Sequence, residues 1–87
     1  MTEDLYLQNI LEPLISDKMR IEKIVDARGI LFMVYLASHD LSVIVGKEGK
    51  NILAIRTLMH IYGSKNEQHI SLKVNYNNNG PDRPAKN

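Results

Sequence analysis

Residues 43–55 read V-I-V-G-K-E-G-K-N-I-L-A-I, and the two glycines in the middle of this run leave the backbone few choices. Gly46 follows a short apolar run and is free to take the left-handed conformation that ends a helix. Gly49 precedes Ile52, Ile55, Met59 and Tyr62, whose spacing of three, four and three marks one face of a helix. The stretch is therefore expected to be a tight turn between two helices. Both ends of its tip lack a Cβ atom, and the next helix points its unsatisfied N–H groups at that tip. Such a place lets a phosphate backbone approach closely and favours negative charge.

The flanking chain supplies the rest of a small α+β domain. Thr2 is a candidate N-cap, with Glu3 and Asp4 in the first turn where the helix dipole favours acids. Leu7, Ile10, Leu11, Leu14 and Ile15 form one apolar stripe, interrupted by Pro13, which predicts a kink near residues 9–13 or a helix restarted there. Met19–Asp26 leans to strand through Ile21, Ile24 and Val25. Ala27-Arg28-Gly29 reads as a hairpin connection. Ile30–Ala37 is apolar without a break, with Ile30, Phe32, Val34 and Leu36 assigned to the core and Leu31, Met33 and Tyr35 to the other face. Ser38 or Asp40 can cap a short helix through Val45. A longer helix is expected from about Lys50 to Tyr62, ended by Gly63-Ser64. His69–Asn75 alternates as a half-buried strand, with Ile70, Leu72 and Val74 inward. Residues 77–87, N-N-N-G-P-D-R-P-A-K-N, read as a disordered polar tail, leaving residues 1–76 as the domain.

Two antiparallel strands joined by a hairpin, then a two-helix crossover, place the third strand parallel to the second. The predicted order is α-β-β-α-α-β, with a three-stranded mixed sheet and three helices on one face.

Composition narrows the chemistry. At 87 residues, 44% hydrophobic and 24% charged, the chain suits one ordered core. It has no cysteine, which rules out disulfides and thiolate-bound metal. The absence of a membrane span or signal pattern makes the cytoplasm the expected location, with no membrane contact. Net charge is only +1, but it is unevenly spread: residues 1–17 carry Glu3, Asp4, Glu12 and Asp17 and no Lys or Arg, whereas all 11 basic side chains lie from Lys18 onward. Lys47, Lys50 and Arg56 outnumber Glu48 near the turn, a balance that suits moderate, salt-sensitive phosphate contact. His39, His60 and His69 lack metal-ligand spacing, no carboxylate set accompanies a nucleophile, and the glycine turn lacks the P-loop ending. Neither an enzyme nor a cofactor is indicated.

Ile44-Val45-Gly46-Lys47-Glu48-Gly49-Lys50-Asn51-Ile52-Leu53-Ala54-Ile55 closely resembles the KH-domain signature, G-x-x-G with aliphatic residues in register on both sides. The derived element order is that of the type II KH fold. Within it, Glu12-Pro13-Leu14-Ile15, Asp40-Leu41 and Ile55-Arg56-Thr57-Leu58 make the chain similar to the KhpA (YlqC) family of small bacterial RNA-binding proteins. The resemblance covers about residues 4–75. It implies that Gly46, Lys47, Glu48 and Gly49 clamp the backbone of about four nucleotides of single-stranded nucleic acid. Lys47, Lys50 and Arg56 are the candidate phosphate contacts, and Ile44, Val45 and Ile52 the candidate groove floor. This chain has Ser42 and Val43 where the family usually has Gly then Lys or Arg, Glu48 where it often has Gln, and Leu53 where it often has Lys. These departures remove positive charge and add a negative one.

The long helix carries an apolar arc broader than packing on three strands requires. Leu53, Ala54, Leu58 and Ile61 are its candidate dimer-interface residues, unless the first helix covers them. The resemblance favours an interface: such proteins self-associate and pair with KhpB, a larger RNA-binding protein also called Jag. It further implies an RNA chaperone or post-transcriptional regulator linked to cell-envelope growth and cell shape. The competing expectation is a protein-interaction adaptor that keeps the fold and binds RNA weakly or not at all.

Overall fold

An unbroken apolar strand needs cover on at least one face, and the chain is wrapped around that need. The computed structural model describes residues 2–76. The central strand, β2 (Gly29–Leu36), alternates strictly, with Ile30, Phe32, Val34 and Leu36 buried and Leu31, Met33 and Tyr35 half-buried on the outer face. It pairs antiparallel with β1 (Met19–Asp26) and parallel with β3 (Ile70–Tyr76), so the sheet is mixed and ordered β1-β2-β3. Ala27 and Arg28 make the hairpin turn, where the Arg28 N–H donates to Asp26 Oδ1 at 2.8 Å, an Asx-type closure.

Three helices lie on one face: α1 (Glu3–Leu11), α2 (Ser38–Val45) and α3 (Lys50–Lys65). They bury Leu7 and Leu11, Ile44, and Ile52, Ile55 and Met59 against β2 and against Ile70 and Leu72 of β3. Thr2 caps α1 as expected, its Oγ1 accepting from the Leu5 N–H at 3.2 Å. Lys23 occupies a core-side register on β1, opposite Phe32, and is neutralised by the acids of α1's first turn, its Nζ lying 2.8 Å from Glu3 and 2.9 Å from Asp4. The hydrogen bond from Lys23, with one from its own backbone amide, holds the Glu3 carboxyl below its usual range against a smaller opposing effect of burial.

Three expectations need correction. The interruption expected near residues 9–13 is present, since α1 stops at Leu11 and gives way to one 3-10 turn, Glu12–Leu14, because Pro13 cannot donate to the preceding turn, but Leu14 points to solvent instead of joining the stripe. Helix α3 does not end at Gly63. It runs on to Lys65, and Gly63 is buried because the chain entering β3 crosses it: a Cβ there would come within 2.5 Å of the Gln68 carbonyl. Neither Ser38 nor Asp40 caps α2, whose N-cap is Ala37 with no side-chain bond. The strand, hairpin and crossover assignments hold, as does the predicted architecture. The proposed polar tail, residues 77–87, lies outside the described residues. Among the described residues no helix is long and apolar enough to cross a membrane.

Candidate nucleic-acid interface

The glycine turn is built by three consecutive backbone choices. The Gly46 N–H closes α2 on the Ser42 carbonyl at 2.9 Å, but with φ 77° and ψ 176° Gly46 leaves in an extended direction open to glycine alone, not in the left-handed helical well. Lys47–Gly49 form a 3-10 turn in which Glu48 (φ 58°, ψ 25°) and Gly49 (φ 75°, ψ 15°) are both left-handed. The Gly49 N–H returns to the Gly46 carbonyl at 3.2 Å. Space beside Gly49 is open, and no side chain caps the N-terminus of α3. The turn therefore presents a bare backbone tip and the positive end of a 16-residue helix to solvent.

Two residues that sequence reasoning did not assign to the site hold this turn in place. Asn51 Nδ2 donates to the Val43 carbonyl at 2.8 Å, tying the first turn of α3 to the last turn of α2. Its side chain also fills the volume beside Gly46, where a Cβ would meet it at 2.5 Å. Asp40 secures the other end of α2. Its carboxylate is 2% exposed and accepts from the Ser16 N–H (2.9 Å), the Ser16 hydroxyl (3.1 Å) and the Asp17 N–H (2.9 Å). Burial pushes its pKa up, but those hydrogen bonds, helped by nearby His39, outweigh burial and leave it below the ordinary value. The available signal was the spacing: Asp40 precedes Ile44 by four, so it falls on the buried stripe of α2.

The family-model comparison matches KhpA/KhpB KH domains to residues 5–74. The chain belongs to this KH-domain family. RNA-binding protein KhpA of Chlamydia pneumoniae is 32% identical over 71 residues, spanning 79% of this chain and 91% of the relative. Its namesake in Chlamydia caviae is 31% identical over the same length, and that of Listeria monocytogenes is 35% identical over 43 residues, spanning 49% of this chain and 57% of the relative. These relatives are named for binding, and the family is not one of enzymes. No solved structure matches significantly. The mixed sheet with three helices on one face is the type II KH fold.

On this KH frame the candidate residues separate by burial. Lys47, Glu48 and Lys50 are exposed around the tip, with Gly46 and Gly49 half-buried between them. Val45 is half-buried, whereas Ile44 is wholly enclosed in the core and Ile52 nearly so; these two support the loop from below. Arg56 is about two turns from the loop, on the side of α3 that faces β3, and its Nε donates to the Leu72 carbonyl at 3.1 Å. Leu53, Ala54, Leu58 and Ile61 lie on the side of α3 away from the sheet. Helix α1 meets α3 elsewhere, through Tyr6 stacked on Tyr62 at 4.6 Å, and does not cover them: Leu53 is 63%, Leu58 41% and Ile61 54% exposed. Among the described residues no group of three or more His, Cys, Asp or Glu is placed to hold a metal ion.

Proposed function

We propose that this chain is a non-enzymatic module that binds single-stranded RNA at the GXXG loop and the groove beside it, with residues 1–76 as the working domain. The observation that carries the reading is the loop itself: a bare left-handed tip at an uncapped helix N-terminus, flanked by exposed Lys47 and Lys50, in a chain of the KH-domain family. Gly46, Gly49 and the adjacent amides approach the phosphates, the lysines supply charge, and Val45 with the rim of Ile52 offers an apolar surface to bases. Glu48 weakens this attraction, so the expected affinity is moderate and falls with salt.

A second element of the proposal concerns assembly. The exposed apolar side of α3 (Leu53, Ala54, Leu58 and Ile61) pairs with the same surface of a second copy, since a four-residue apolar patch opposite the core has no partner within the described fold. A KhpB/Jag-type RNA-binding protein is the alternative occupant. In the cytoplasm such a dimer would act as an RNA chaperone or post-transcriptional regulator, in the line of envelope and cell-shape control that the resemblance implies.

Fluorescence anisotropy with short labelled RNAs tests the binding claim. A folded Lys47→Asp, Glu48→Asp variant should lose the salt-sensitive binding that the native chain shows. Equal binding by both would count against the loop and favour the adaptor reading. Sedimentation equilibrium of Ile61→Asp tests assembly: the native chain should be dimeric at high concentration and the variant monomeric, and a monomeric native chain would refute the pairing.

A further inference from the structure

Strand β1 has a neighbouring strand on one side only. The sheet runs β1-β2-β3, and α3 is tied to β3 at the opposite edge. Which groups of β1 lie free follows from β2. The Ile30 N–H donates away from β1, to the His69 carbonyl at 2.8 Å, so Val25 and Ile30 face each other without exchanging ladder bonds. Such pairs alternate along an antiparallel ladder. Asp26, Ile24, Glu22 and Arg20 therefore bond to β2, while Val25, Lys23, Ile21 and Met19 turn their N–H and C=O groups outward. No group among the described residues bonds to that outward backbone. An 8-residue edge is normally guarded against a further strand, often by an inward-pointing lysine. Lys23 holds that position, but Glu3 and Asp4 bind its Nζ and cancel its charge, and Ile24 and Val25 stay exposed beside it.

A hollow lies along the first half of this edge, on the helix side. It is an open concavity of about 700 Å³ between the end of α1 and the start of β1. Ile15, Met19 and Ile21, all half-buried, form its apolar lining. Met19 and Ile21 are themselves free-edge residues, so a strand added to β1 sets its own helix-side side chains over the hollow. The rim carries Glu12 and Asp17 against one base, Lys18. The same sign continues along the edge, where Glu3 and Asp4 outnumber Lys23. Helix α3, by contrast, holds Lys50, Arg56 and Lys65 and no acid. Phosphate is therefore disfavoured at the β1 edge, and a cationic chain is favoured.

We propose that the free edge of β1, with the hollow beside it, is a docking site for an extended basic segment of another protein, which joins the sheet as a fourth strand. Backbone hydrogen bonds to Met19, Ile21, Lys23 and Val25 hold the segment, and its alternate apolar side chains cover Ile15 and Ile21. Lys or Arg residues at its end meet Glu12 and Asp17. A second copy of this chain is a poorer occupant, because its β1 sets Arg20 and Lys23 against Glu22 and Asp26 and brings no net positive charge. The site stands apart from the reading of the glycine loop, and RNA on the loop leaves the edge free.

The test titrates the isotope-labelled chain with the capped peptide K-R-V-T-V-T-V-R-K and with its acidic counterpart E-E-V-T-V-T-V-E-E, followed by amide shifts and hydrogen exchange. The basic peptide should shift the amides of Met19, Ile21, Lys23 and Val25 and slow their exchange, leaving Gly46–Asn51 unmoved. The acidic peptide should bind at least about fivefold more weakly at low salt, the worth of two exposed charge pairs. The double variant Glu12→Gln, Asp17→Asn keeps an acceptor for the Lys18 N–H and should weaken the basic peptide by about the same factor. Val25→Pro removes a free-edge donor without touching the β1–β2 ladder, so the folded variant should lose most of the binding. Native-like binding by folded Val25→Pro, equal binding of the two peptides, or no shift at millimolar basic peptide would overturn the inference. Edge amides that become protected in the native chain alone as its concentration rises would overturn it too, by giving the edge to a second copy.

Discussion

Replacing Asp40 should cost more than replacing any loop residue, although Asp40 touches no ligand. Its carboxylate accepts two backbone N–H groups and one hydroxyl from Ser16 and Asp17, and so locks α2 to the chain leaving α1. Hydrogen bonds to a charged group are worth about 1.5–3 kcal/mol each, and the burial of the carboxylate offsets part of their sum. Asp40→Ala also strands the two amides, so a net loss of about 3 kcal/mol is expected. For a domain of this size that lowers Tm by roughly 12–24 °C. Asp40→Asn keeps one acceptor but turns its amide donor toward a backbone N–H, so it should lose roughly half as much. The pH dependence has a definite sign. Because the folded-state pKa is depressed below 3.8, this contribution is complete above that value in the native chain and is lost as pH falls through the folded pKa. Urea unfolding followed by circular dichroism, repeated from neutral pH into acid, measures both effects. An Asp40→Ala variant within about 0.5 kcal/mol of the native chain would refute the lock, since that is the range of ordinary surface changes.

Other outcomes follow from single contacts. Gly63→Ala should destabilise by about 1–3 kcal/mol in the same assay, because its Cβ meets a backbone carbonyl at 2.5 Å that has little room to give. Glu48→Gly should stabilise the fold by about 1 kcal/mol by removing a left-handed non-glycine residue, and should tighten RNA binding by removing the one acid at the tip. Asn51→Leu keeps the shape beside Gly46 but deletes the bond to Val43. It should weaken RNA binding by no more than about fivefold, the equivalent of one exposed hydrogen bond near 1 kcal/mol, with an unchanged salt slope because no phosphate contact is lost.

Much of this molecule is legible because its signals are local. The unbroken apolar run of Ile30–Leu36 with its assigned inward face, the alternation of Ile70–Val74, the Thr2 cap and a tight turn at Gly46–Gly49 each follow from neighbours in the chain, and the structure bears them out, although Gly46 leaves its helix extended and not in the left-handed well. Gly63 misled because a glycine near a helix end has two uses. Sequence offers the cap, whereas the fold uses the missing side chain to let β3 pass. Asp40 was read as a cap for the same reason: its partners, Ser16 and Asp17, are more than 20 residues away and only the tertiary fold brings them near. The His60–His69 contact depends on how α3 docks on the edge of β3, which periodicity does not specify.

The most direct test of the central claim is amide chemical-shift mapping of the isotope-labelled chain titrated with a short single-stranded RNA. Saturable shifts should centre on Gly46–Asn51 and on the first turns of α3, with β1 unmoved. Shifts confined to Leu53, Leu58 and Ile61, or no shifts at any residue, would contradict an RNA clamp at the GXXG loop.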